Sequence, residues 1–186
     1  MASPSTSDRL GGLYVPVTPD PFALLGFVPA FEIDLAALEK AYYERSRELH
    51  PDRFASAPAA ERVAALSKAR ALNDAYQILK KPVPRAEYLL VRAGVTIGDN
   101  ERLDPTFLME ILELREELAL ARHAGKTDVV QRLQAAMATR RRAVLGQLPA
   151  LFTTNDLPAL KEQLIVLRYL DRYLEECDAA LDDEEG

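Results

Sequence analysis

The stretch Glu48-Leu49-His50-Pro51-Asp52-Arg53-Phe54 separates two segments whose apolar residues recur at helical spacing. A proline at position 51 disfavours the α conformation at His50, so the first helix is expected to end there. The imidazole, the rigid pyrrolidine ring and the Asp52 carboxylate are then displayed together between the two helices. The sequence therefore predicts a helical hairpin with His50, Pro51 and Asp52 at its tip.

Helical periodicity continues through almost all of the 186 residues, and no alternating strand pattern is sustained. Asp34 can cap one helix, and Asp104-Pro105 is a clear start signal for another. Pro149 is expected to end a helix. The predicted helices cover residues 21–25, 34–49, 59–79, 85–93, 104–123, 127–148 and 155–181. The chain is thus predicted to be all-α.

Two domains are expected, because two glycines and Asp99-Asn100 interrupt the helical pattern near the middle of the chain. In the first domain, an antiparallel helical hairpin with short flanking helices is predicted. Its inner faces would be formed by Leu35, Leu38, Tyr42 and Leu49 on one helix and by Val63, Leu66, Ala69, Leu72, Tyr76 and Leu79 on the other. The predicted organisation is a flexible segment at 1–18, the hairpin domain at 19–93, a linker at 94–103, a three-helix bundle at 104–181 and an acidic tail at 182–186.

The composition excludes several classes of function. One cysteine, Cys177, and two histidines on different segments argue against a metal site, and no run approaches the roughly 18 apolar residues of a membrane helix. Residues 94–186 carry 18 Asp/Glu against 11 Lys/Arg, and residues 19–93 carry 10 against 11, so no nucleic-acid partner is expected. The first residues resemble neither a secretory signal nor a strong transit peptide, which favours a bacterial cytoplasm over a mitochondrial matrix.

Two smaller features receive structural interpretations. Arg140-Arg141-Arg142 cannot all line one face of a helix, so we interpret the triplet as a solvated surface with balancing acids. Cys177 is expected to be a small buried or half-buried apolar residue.

The helix that begins after Asp104 has two apolar stripes instead of one. At about 100° per residue, one stripe is tight and suits the core; its members are Phe107, Ile111, Leu114 and Leu118. The opposite side mixes apolar residues with acids, namely Leu108, Met109, Leu112, Leu120, Glu113 and Glu116. This second stripe either packs under the first domain or the linker, or forms an exposed partner site.

The hairpin resembles a J-domain. Besides His50-Pro51-Asp52, it carries Arg53-Phe54 directly afterwards and Asn73-Asp74-Ala75-Tyr76 in the next helix, and Lys40, Tyr43 and Arg47 share one face of the preceding helix. The resemblance implies contact with a seventy-kilodalton heat-shock chaperone through His50, Pro51, Asp52, Lys40 and Arg47. Many J-domains have a Lys/Arg pair where this chain has Tyr43-Glu44. Lys40 and Arg47 would therefore supply more of the contact, or the affinity would be weaker.

Further blocks make the resemblance more specific. Arg85-Ala86-Glu87-Tyr88-Leu89-Leu90, Phe107-Leu108-Met109-Glu110 and the segment from Leu112 to Leu118 follow in this order. The series is similar to the HscB-type J-protein co-chaperones of iron–sulfur cluster biogenesis, over about residues 20 to 174. That resemblance implies a bundle that binds an IscU-type scaffold protein and delivers it to an HscA-type chaperone, whose ATPase the J-domain stimulates.

Carried over by position, the scaffold-binding residues would be Leu108, Met109, Leu112, Glu113, Glu116 and Tyr169. Two positions differ from the best-known members, because Leu120 replaces an acid and Tyr169 replaces a phenylalanine. These changes bear on which scaffold is preferred. The cysteine pairs of the animal members, which hold zinc, have no counterpart here.

Two other functions compete with this hypothesis. A general J-protein cofactor or holdase would bind unfolded clients without selecting a folded scaffold. An enzyme is disfavoured, because the polar residues contain no recognisable base–nucleophile pair, metal cluster or phosphate loop. We therefore predict a non-catalytic adaptor with no cofactor, no metal and no small-molecule substrate.

Overall fold

A computed structural model of the chain describes residues 19–98, 101 and 104–182. The predicted flexible segment 1–18 and all of the predicted acidic tail 182–186 except Asp182 therefore lie outside the described residues. All regular structure in the described part is helical, which confirms the predicted fold class. The helices are α1 (Pro21–Leu25), α2 (Leu35–Glu48), α3 (Ala59–Lys80), α4 (Pro82–Arg92), α5 (Pro105–His123), α6 (Thr127–Thr154) and α7 (Leu157–Asp182), with a short 3₁₀ helix, Pro51–Phe54, between α2 and α3. Among the described residues, no helix is long and apolar enough to cross a membrane. The chain divides between Gly94 and Val95 into two compact units.

In the first unit, α3 packs against α1, α2 and α4. Asp34 caps α2 as predicted, since its carboxylate accepts hydrogen bonds from two backbone N–H groups of the first turn. Across the hairpin, the Tyr42 ring stacks on Tyr76 with 4.1 Å between centroids, and its hydroxyl donates to Asn73 Oδ1 at 3.3 Å. The buried core consists of Phe22, Leu25, Leu38, Leu72, Ala75, Tyr76 and Leu79.

Three residues predicted for the inner faces of the hairpin are exposed instead, namely Leu35, Val63 and Leu66. The helix α3 has 22 residues whereas α2 has 14, and apart from Ala65 the buried residues of α3 begin at Leu72. The neighbouring helices therefore cover mainly the second half of α3. Helical periodicity identifies the residues that share a stripe, but it does not say how much of the stripe another helix covers.

In the second unit, α5, α6 and α7 form the predicted three-helix bundle, in which each helix packs against the other two. The hydroxyl of the buried Tyr173 donates a hydrogen bond to the Leu114 carbonyl oxygen at 3.0 Å and so joins α7 to α5. Cys177 is fully buried, as predicted, and burial raises the pKa of its thiol to about 11. Ile97, from the segment predicted as a linker, is also buried, and Glu101 pairs with Lys161 of α7 at 2.7 Å.

The three consecutive arginines of α6 point in different directions. Arg140 Nη1 lies 2.5 Å from a carboxylate oxygen of Glu110 on α5. Arg141 pairs with Asp171 on α7, and Arg142 is exposed. The balancing acids predicted for this triplet are therefore present for Arg140 and Arg141, and both of these ion pairs connect helices of the bundle.

The prediction that Pro149 ends a helix is wrong, because α6 continues to Thr154. A proline inside a helix removes one backbone hydrogen bond and costs about 3 kcal/mol. Here Leu148 is fully buried and α6 packs against α7, so tertiary packing offsets that cost. The helix ends only at Asn155, whose φ of 53° is left-handed.

Candidate functional site

The tip of the hairpin has the local geometry that Pro51 imposes. His50 is extended, with φ −60° and ψ 134°, and it caps the 3₁₀ helix that Pro51 begins. The backbone N–H of Asp52 donates a hydrogen bond to His50 Nδ1 at 3.3 Å, and an Asp52 carboxylate oxygen lies 3.4 Å from the same nitrogen. Because Nδ1 accepts this bond, a neutral imidazole carries its proton on Nε2.

These two side chains are open to solvent, with 59% of the His50 side chain and 91% of the Asp52 side chain exposed. The Asp52 carboxylate forms no ion pair with any arginine or lysine in the described part of the chain. The hydrogen bond from the Asp52 N–H to His50 restrains the turn, whereas the charge of Asp52 faces outward. The arrangement can therefore bind a cationic group of a partner.

Next to this turn, α2 presents the predicted cations on its outer face. Lys40, Tyr43 and Arg47 are exposed, opposite the buried Leu38. Lys40 and Arg47 lie two helical turns apart, or about 10 Å along the axis. Lys40 Nζ lies 4.0 Å from Glu44, an exposed i,i+4 pair of the kind worth only a few tenths of a kcal/mol.

In the second unit, α5 has the two stripes that its sequence indicates. Phe107, Ile111 and Leu118 are buried and Leu114 is half-buried. On the opposite side, the exposed fractions are 40% for Leu108, 58% for Met109, 51% for Leu112 and 64% for Leu120. Glu113 and Glu116 are exposed among them and form no ion pair with a described residue. We call these six residues the outer face of α5.

Tyr169 lies on α7, half-buried, and its ring meets the edge of Phe107 with 6.2 Å between centroids. The ion pair between Arg115 and Glu176, at 2.8 Å, shows which edge of α5 adjoins α7. On a helical projection Arg115 and Leu108 lie about 20° apart. Tyr169 therefore borders the outer face of α5 on the Leu108 side.

One exposed charge near this border was not predicted from the sequence. Arg172 follows Tyr169 by three residues on α7, so the two side chains are neighbours on the helix surface. The sequence offered one signal for Arg172, which is its i,i+3 spacing from Tyr169. That spacing could be interpreted only after the structure had shown which side of α7 faces α5.

The two units match two known protein families. Residues 20–88 match the DnaJ domain, and residues 103–178 match the HSCB C-terminal oligomerisation domain. A co-chaperone protein HscB homolog from Azoarcus sp. (strain BH72) is 38% identical over 166 residues, which cover 88% of this chain and 94% of that protein. The chain belongs to the HscB family. The resemblance inferred from the sequence motifs is thereby confirmed.

Other relatives agree with this assignment to the HscB family. The chaperone HscB from Vibrio cholerae is 32% identical with a TM-score of 0.77, and the match covers 89% of this chain and 99% of that structure. Human co-chaperone protein HscB is 26% identical with a TM-score of 0.80, over 96% of this chain and 93% of that structure. This HscB family member is therefore a J-domain co-chaperone of iron–sulfur cluster assembly. Members of this family act by regulating other proteins rather than by catalysing a reaction themselves.

Proposed function

We propose that this HscB family member binds an IscU-type scaffold protein and presents it to an HscA-type chaperone of the seventy-kilodalton heat-shock class, whose ATPase it stimulates. The observation that carries the proposal is the outer face of α5, where apolar side chains are exposed together with two acids that form no ion pair with a described residue. A helix in a three-helix bundle needs only one apolar stripe. The second stripe is explained if it is buried against a partner.

On the chaperone side, the binding residues are His50, Pro51, Asp52, Lys40 and Arg47. The two cations suit an acidic surface of the nucleotide-binding domain, and the exposed Asp52 carboxylate suits a basic group near its interdomain contact. The protein itself performs no bond-breaking step. It changes the chaperone's ATPase by binding one conformation of the chaperone better than another.

On the scaffold side, the binding residues are Leu108, Met109, Leu112, Glu113 and Glu116 of α5, together with Tyr169 of α7. Burial of the apolar side chains contributes most of the binding free energy, at roughly 1.5–3 kcal/mol for each fully buried one. Because Glu113 and Glu116 lack an ion-pair partner among the described residues, they favour a basic scaffold surface and fix its register. Met109 adapts to an irregular partner surface through its flexible thioether.

The proposal includes no resident cofactor, no small-molecule substrate and no nucleic-acid partner. Residues 19–93 would serve the chaperone and residues 104–181 the scaffold, with 94–103 as the linker. We infer a bacterial cytoplasm as the site of action, since a relative from Vibrio vulnificus (strain YJ016) is 44% identical over 109 residues and the Azoarcus relative is also bacterial.

The proposal is tested by steady-state ATPase measurements on an HscA-type chaperone with this protein alone, with an IscU-type scaffold alone and with both. We expect the stimulation by both to exceed the sum of the separate effects. Merely additive stimulation would contradict the proposal. A general holdase, the alternative function, would instead suppress the aggregation of an unfolded client and would not select a folded scaffold.

A further inference from the structure

A groove lies beside the outer face of α5, between α7 and the segment that precedes α5. Its volume is about 260 Å³, and its lining includes Ile97, Glu101, Ile165, Arg168, Tyr169 and Arg172. Ile97 and Ile165 are buried and form an apolar floor, whereas Arg172 is exposed at the rim. All of these residues belong to the second unit.

The groove has an excess of positive charge. Its acid, Glu101, is already used within the protein, because its carboxylate pairs with Lys161 at 2.7 Å and accepts the Gly98 N–H at 2.8 Å. These two contacts hold the pKa of Glu101 below its usual value, so the carboxylate stays ionised and bound to Lys161. Arg172 lines the groove and forms no ion pair with any residue that the structure describes.

The groove is continuous with the outer face of α5 through Tyr169. Tyr169, Arg172 and Glu176 lie within about 60° of one another on α7. Tyr169 contacts Phe107, and Glu176 pairs with Arg115, so both flanking residues touch α5. Arg172 therefore lies on the edge of α7 that borders α5, where a protein bound to the outer face of α5 would reach it.

We propose that the scaffold-binding surface extends into this groove, where Arg172 receives an aspartate or glutamate side chain of the scaffold. The inference rests on the proposed function and adds a specificity residue to it. The surface would then carry charges of both signs, with the negative Glu113 and Glu116 on α5 and the positive Arg172 on α7. A planar guanidinium binds a carboxylate through two parallel hydrogen bonds, so the pair would fix the orientation of the scaffold as well as its register.

The test is calorimetric titration of the full-length protein with an IscU-type scaffold protein. We expect Arg172→Glu to weaken binding about tenfold or more and Arg172→Gln to weaken it by a smaller factor, because reversal adds repulsion to the lost ion pair. Arg142→Glu is the matched control, since Arg142 is an exposed cation on α6, a helix that does not line this groove. It should change the affinity less than about twofold. Thermal unfolding of each variant shows whether it is folded.

The scaffold acid can be identified by neutralising the scaffold's exposed carboxylates one at a time. One of these changes should weaken binding to the unaltered protein but have little further effect on Arg172→Gln. Unchanged binding by Arg172→Glu, equal losses for the Arg172 and Arg142 variants, or the absence of any coupled scaffold acid would each overturn the groove assignment alone. If the unaltered protein fails to bind the scaffold, the proposed function fails and the groove assignment fails with it.

Discussion

The backbone N–H of Asp52 donates a hydrogen bond to Nδ1 of His50 at 3.3 Å across the proline between them. This contact restrains the exposed turn without burying either side chain. Replacements at these positions should therefore change what the turn binds and leave the packing of the first unit unaltered. That separation makes the turn suitable for functional tests.

For His50→Gln, we expect stimulation of the chaperone ATPase to fall at least about tenfold, which corresponds to about 1.4 kcal/mol of lost interaction. The imidazole that restrains Asp52 is lost, although the helices on both sides remain. The measurement is steady-state ATPase rate against protein concentration. Scaffold affinity and helical circular dichroism serve as controls and should not change. Full stimulation by this variant would contradict the assignment of the turn.

The triple change of Leu108, Met109 and Leu112 to alanine should abolish scaffold binding while helicity is retained. Each truncation removes about 1–3 kcal/mol of apolar contact, so the affinity should fall by several orders of magnitude. The matched control is the pair Val63→Ala and Leu66→Ala, because these residues of α3 are also apolar and are more exposed than the three residues of α5. Scaffold affinity that survives the triple change would mean that this stripe serves only the structure of the protein.

For Tyr173→Phe, we expect a loss of about 1 kcal/mol in the free energy of unfolding, since the change removes one buried hydrogen bond to the Leu114 carbonyl. Tyr42→Phe is the comparison, because it also removes one hydroxyl bond, to Asn73, but at an exposed site. The loss in free energy of unfolding should be smaller for Tyr42→Phe than for Tyr173→Phe. Urea titrations of the three proteins measure the differences, and equal losses would indicate that burial does not control the energy of these bonds.

Cys177 should make stability depend on pH in the alkaline range. Burial raises the pKa of its thiol to about 11, whereas an unfolded thiol ionises near pH 8.5. The stabilisation of the folded protein by the neutral, buried thiol is complete below about pH 8.5. It declines as the pH rises towards 11, because ionisation favours the unfolded chain. Relative to Cys177→Ala, the free energy of unfolding should fall by about 2 kcal/mol between pH 7.5 and pH 10. If the difference in free energy of unfolding between the two proteins stays constant over this range, burial does not raise the pKa of the thiol.

Much of the fold follows from local signals in the sequence. Asp34 and Asp104 accept hydrogen bonds from first-turn N–H groups where capping was predicted. Pro51 makes His50 extended, and Gly26 ends α1 with a left-handed φ of 79°. Each of these effects depends on a few consecutive residues, so the sequence is enough to predict it.

Other features depend on contacts between distant residues. Pro149 has the same local chemistry as a helix-ending proline, yet α6 continues past it because packing on α7 offsets the missing hydrogen bond. Val63 and Leu66 have the spacing of core residues, yet the helices around α3 cover mainly its second half. A pattern of apolar residues cannot indicate which part of a stripe a neighbouring helix will reach.

In the candidate sites, too, some features follow from local sequence and others depend on contacts between distant residues. The sequence by itself determined the tip of the hairpin, because a proline acts on its own neighbour, and it determined that α5 has two apolar stripes, because helical spacing is local. The same spacing assigned the tight stripe to the core. Only the tertiary structure decided that the other stripe stays exposed, and that Tyr169 and Arg172 of α7 border it. These relationships arise from the packing of α7 against α5, through residues about 60 positions apart in the chain.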